Sequence, residues 1–171
     1  MLAPPGDHDW GKIMSRILWV VLAAGLALCE FTHAADKPFS GSFKANGADA
    51  KLEHLIAVKD TLFDDRPATM LIFSEKSASS DAKAKDDALF GKLGDALIVR
   101  VVRDGEKWDT MGGNLVHASL KHSGVSASGI FRLSDAKLAN GELSGHLTTK
   151  PGEDIFGEPI SIDLTFHVKQ P

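Results

Sequence analysis

From Ile160 to Lys169 the chain alternates without an error: Ile160, Ile162, Leu164, Phe166 and Val168 are separated by Ser161, Asp163, Thr165, His167 and Lys169. Successive side chains of a strand point to opposite faces, so this pattern specifies a strand with one buried and one wet face. The same period of two runs through residues 39–45, with Phe39, Gly41 and Phe43 opposite Ser40, Ser42 and Lys44. It returns in 142–149, with Leu143, Gly145 and Leu147 opposite Glu142, Ser144, His146 and Thr148. One-sided burial of this kind belongs to antiparallel sheets.

Two further stretches, TMLIF at 69–73 and ALIVRVV at 96–102, are nearly continuous apolar runs, too short for isolated helices. They are expected to be central strands covered on both faces. The pairs Asn46-Gly47, Asp104-Gly105 and Asn140-Gly141 lie between strand-like segments and supply the positive backbone angles of tight hairpin turns. With strands over 51–59, 115–121 and 127–133, the expected fold is mostly β: an antiparallel sandwich or barrel of about eight strands. One amphipathic helix is expected over 81–93, started at Ser80 or Asp81, closed by Gly94, and carrying Leu89 and Leu93 on one face.

The segment 14–35 reads as an export signal. Met14-Ser15-Arg16 precedes a twelve-residue apolar run, 17–28, and small residues follow at Ala34 and Ala35. Twelve helical residues reach about 18 Å, short of the ~30 Å hydrocarbon core, so the run fits a secretory signal better than a permanent span. Cleavage after Ala34 gives a signal peptide over 1–34 and one domain over 35–171. Residues 1–13 carry two aspartates and two prolines, which suits a true start at Met14. The expected address is periplasmic or secreted, with no stable transmembrane segment after processing.

The single cysteine, Cys29, falls within the signal. The processed chain would then lack thiols, which removes disulfides, thiolate catalysis and cysteine-ligated metal from consideration. Leu28 stands where a small residue is expected before a lipid-modified cysteine, so lipidation is disfavoured. A formal net charge of -4 gives no basic surface for phosphates, and a nucleic-acid partner is not expected.

Five histidines follow the signal. His54 shares a strand face with Leu52, Ile56 and Val58, which predicts an inward imidazole. His117 shares a face with Leu115, Ser119 and Lys121, and a His beside a Lys can make a small anion-binding or proton-transfer spot. His54, His117 and Lys121 are therefore the candidate binding residues. His146 and His167 lie on polar strand faces and would approach one another if those strands are neighbours, which makes them candidate ligands for a divalent metal. Two acidic loops, one with Asp60, Asp64, Asp65 and Arg66 and one with Glu153, Asp154 and Glu158, lack the ligand order of a calcium loop, and Arg66 can neutralise one aspartate.

Two Ser-x-x-Lys sequences, at Ser80 and Ser134, lack the companion motifs of serine acyl transfer, and GVSASG at 124–129 misses the nucleophile-elbow pattern. No catalytic residue is assigned. The function expected from these residues is a non-enzymatic binding or interaction module of the cell envelope, with a small ligand or an envelope protein as partner and no cofactor. The alternative is a histidine-based metal-binding protein or hydrolase. An apolar ligand inside a closed barrel is a third possibility, which would need a real cavity.

Overall fold

The computed structural model describes residues 37–171. The export signal, its cleavage site, the choice of start and Cys29 lie outside the described residues. Eleven strands and one helix follow in the order β1 (Phe39–Ala45), β2 (Ala48–Asp49), β3 (His54–Thr61), β4 (Pro67–Ser74), α1 (Asp81–Leu89), β5 (Ala96–Asp104), β6 (Lys107–Val116), β7 (Val125–Ala127), β8 (Phe131–Ala139), β9 (Glu142–Thr149), β10 (Asp154–Ile155) and β11 (Glu158–Lys169). Eight of the strands have seven residues or more.

The strands form two antiparallel sheets that pack as a sandwich. One has the order β2-β1-β11-β9-β8, with β10 paired to β11, and the other is the meander β3-β4-β5-β6-β7. The alternation of β11 determines what lies between them: Ile160, Ile162, Leu164 and Phe166 are buried while Ser161, Asp163, Thr165 and His167 are exposed. Phe166 meets Phe73 of the facing sheet edge to face at 6.0 Å, and Phe73 meets Phe39 in the same way at 5.4 Å. Such T-shaped pairs add to the area the rings bury.

The apolar runs of β4 and β5 are covered on both faces. Leu71, Phe73, Leu97, Val99 and Val101 join the core between the sheets, while Met70, Ile72, Ala96 and Ile98 pack under α1 on the outer side of the meander. The helix contributes Ala84 and Ala88, four residues apart and fully buried. Their small side chains let the helix backbone lie close to the sheet. This corrects the expected helix. It ends at Leu89 with Phe90 exposed, Gly91 takes a positive φ, Leu93 is buried from the following turn, and Ser80 stands at the N-cap without a side-chain hydrogen bond.

The Asn46-Gly47 and Asn140-Gly141 turns occur as read, both residues of each pair having φ between 51° and 78°. In the third hairpin the register pairs Asp104 with Lys107, so the turn is Gly105-Glu106 and Asp104 stays in β5. Two expected strands are displaced. The segment 115–121 leaves the sheet after Val116, and the segment 127–133 is broken between β7 and β8, where Gly129 takes φ +74°. Among the described residues no helix is long and apolar enough to cross a membrane.

Candidate functional site

The widest departure from regular pairing in the meander lies between β5 and β6. Val99 pairs with Gly113 and Val101 with Thr110, so Met111 and Gly112 together oppose Arg100. This is a β-bulge, and Gly112 makes it with φ +92°. A Cβ on Gly112 would meet the Ala127 carbonyl oxygen at 2.9 Å. A bulge bends its strand and re-aims a side chain, and here the re-aimed side chain is Met111, 44% exposed.

Opposite the bulge, the β3–β4 hairpin closes through a compact loop in which Leu62 N–H donates to the Arg66 carbonyl at 2.9 Å and Asp65 N–H to that of Leu62 at 3.1 Å. Asp65 takes φ +61°, and Phe63 stands at the tip with its ring fully exposed. Arg66 Nε holds Asp64 Oδ2 at 2.7 Å. That hydrogen bond, more than the charge itself, keeps the Asp64 carboxyl below its ordinary range. The neutralisation of one aspartate by Arg66 is therefore as the sequence indicated.

Bulge, hairpin tip and helix enclose a cleft of about 350 Å³ lined by Asp60, Phe63, Asp64, Arg66, Lys85, Arg100 and Met111, with Thr61 and Leu62. At one side Arg100 Nε donates to Asp60 Oδ2 at 2.6 Å, both side chains being less than a third exposed. The alternation of β3 and β5 explains this pair. Val58 and Ile98 pack under α1, and Asp60 and Arg100 are the next outward positions along their strands. The cleft thus combines exposed apolar surface with a fixed set of charges, in the lower part of the size range of small-molecule sites.

The histidines are arranged differently from the expectation. His54 is exposed, because Ile56 and Val58 on its face pack beneath the helix and not inside the sandwich, and the helix layer leaves His54 uncovered. His117 is 3% exposed. It lies in a turn beyond the end of β6, where Leu120 N–H donates to the His117 carbonyl at 3.0 Å and the Asp95 carboxylate takes Ala118 N–H at 3.0 Å. Its Nδ1 accepts the Ser119 N–H at 3.0 Å, which puts the proton of a neutral ring on Nε2. That nitrogen is buried and has no hydrogen-bond partner among the described residues. The ring packs edge to face with Phe43 at 5.3 Å.

Lys121 is exposed and gives its backbone N–H to Glu158 at 3.1 and 3.3 Å, so His117 and Lys121 do not share a surface spot. Glu158, read from sequence as part of an acidic loop, is instead 7% exposed. Its carboxyl is held below its ordinary value by the Lys121 N–H first and then by the Asn46 side-chain amide, at 2.9 Å.

His146 and His167 do lie on neighbouring strands, β9 and β11, but diagonally, since His146 pairs with Thr165 and His167 with Ser144. His146 Nε2 sits 2.8 Å from Asp163 Oδ1, which engages one of the two ring nitrogens through which a histidine can hold a metal. Among the described residues no three His, Cys, Asp or Glu side chains are grouped to hold a metal ion.

Sequence reasoning missed Phe63, Lys85, Arg100 and Met111. Two signals for the cleft were present. An aromatic residue sits within the charged hairpin loop at 62–66, and Gly112-Gly113 interrupts a strand, as glycines at bulges do. A scan of the chain against models of known protein families gives no match, and searches among curated proteins and among solved structures give no significant one.

Proposed function

We propose that the chain is an exported, non-enzymatic binding module of the cell envelope, with the cleft between Phe63, Lys85, Arg100 and Met111 as its recognition surface. The observation that carries this reading is the paired exposure of Phe63 and Met111 in the lining of one cleft. Each side chain is held out by backbone geometry, Phe63 by a hydrogen-bonded loop and Met111 by a bulge that needs Gly112. Exposed apolar side chains on a hydrogen-bonded backbone, ringed by charges, suit recognition, because the backbone that presents them is already formed. The sequence at 14–35 supports export.

The test is to recover the untagged protein from the envelope fraction and weigh it under native conditions, with elemental analysis of the same sample. The expected result is a non-covalent companion, small molecule or protein, that is absent from Phe63→Asp, with no stoichiometric metal. A stoichiometric metal lost in His146→Ala or His117→Ala, or a companion retained equally by Phe63→Asp, contradicts the reading.

A further inference from the structure

The charges of the cleft narrow the chemistry of its occupant. Of the three cations in its lining, Arg66 is paired with Asp64 and Arg100 with Asp60, while Lys85 has no ion-pair partner among the described residues. In both arginine pairs only Nε is engaged. The terminal guanidinium nitrogens carry no hydrogen-bond partner among the described residues, so the lining has an excess of one positive charge and several uncommitted N–H donors.

A neutral apolar molecule seated here would cover the Lys85 ammonium without compensating it, and a cation would be repelled by it. A small inorganic anion would leave Phe63 and Met111 in water. We infer that the cleft takes a small amphipathic monoanion, a ring or short chain bearing one carboxylate, with the carboxylate at Lys85 and the free guanidinium donors and the apolar body between Phe63 and Met111. The inference rests on the cleft being the recognition surface. It is separable from that reading, because the companion experiment above identifies a binding surface whatever its occupant.

Calorimetric titration of the untagged protein tests it with octanoate and 3-phenylpropionate as the chain and ring forms of the ligand. The controls are 3-phenylpropanamide, 3-phenylpropylamine and acetate. The expected result is saturable binding of one carboxylate per chain, at least tenfold weaker for the amide, the amine and acetate. Lys85→Gln and Phe63→Ala should each weaken the acids at least fivefold. Both replace side chains at the surface, and an unchanged thermal transition shows that the fold is retained. Equal binding of acid and amide, or acid binding indifferent to both variants, overturns the inference. Failure of both acids to bind also overturns it, and the companion experiment then decides on its own whether the cleft binds anything.

Discussion

The carboxylate of Glu158 receives the backbone N–H of Lys121 on both of its oxygens, at 3.1 and 3.3 Å, and so ties the start of β11 to the segment that follows β6 in the other sheet. Hydrogen bonds to the charged form lower a carboxyl pKa, and a lowered pKa means that folding favours the ionised state. The stability so contributed is present above the unfolded value of about 4.5 and is lost as pH falls through the lower folded value. Glu158→Gln should therefore be less stable than wild type at pH 7, and the difference should shrink below about pH 4.5. Urea unfolding of both proteins from pH 3 to pH 7 checks this, and a difference independent of pH would count against it.

Phe166 and Thr165 are adjacent in β11 and opposite in environment, the first 1% exposed against Phe73 and the second facing solvent. Phe166→Ala should cost about 3 to 5 kcal/mol through lost burial and the cavity left behind. Thr165→Ala should stay within about 0.5 kcal/mol of wild type. Denaturant midpoints of the two variants measure the contrast, and similar losses would contradict the register.

Phe156 occupies the first position of the two-residue turn between β10 and β11 with φ +53°, where the pairing of Ile155 with Glu158 requires a tight reversal. A bulky residue is strained there, and Asn or Gly is not. The ring is largely exposed and touches His122 edge to face at 6.3 Å. Phe156→Asn should raise stability by about 1 kcal/mol, the lower end of what a strained backbone position costs. A thermal transition shifted downward would show that the contact with His122 outweighs the strain.

Gly112→Ala places a Cβ at 2.9 Å from the Ala127 carbonyl oxygen in a backbone region that disfavours side chains. A loss of about 1 to 3 kcal/mol is expected, together with displacement of Met111 from the cleft. Full stability in this variant would mean that the bulge can be drawn without glycine.

Much of the sandwich was legible because its strands obey simple rules. The alternation of β11 fixed its faces, and the Asn-Gly pairs fixed two hairpins by the backbone angles they accept. The expectations that failed involve a third layer or an irregular backbone. The face His54 shares with Ile56 and Val58 predicts an inward ring, and periodicity alone does not distinguish the space between two sheets from the space under a helix. The face His117 shares with Leu115, Ser119 and Lys121 predicts a strand, whereas hydrogen bonds to distant residues, from Ala118 N–H to the Asp95 carboxylate and from Ser119 Oγ to the Ala45 carbonyl, hold that segment in a turn. The cleft was illegible as a whole. Its residues come from β3, a hairpin tip, the helix, β5 and a bulge in β6, and only the fold assembles them.

The most direct measurement on the central claim is to follow backbone amide resonances of the isotope-labelled protein while 3-phenylpropionate is added. Saturable shifts are expected, concentrated at residues 60–66, Lys85, Arg100 and 111–112 and suppressed in Phe63→Ala. Shifts centred on His117 and Glu158, shifts scattered over the surface, or no shifts at ligand concentrations up to several millimolar would contradict it.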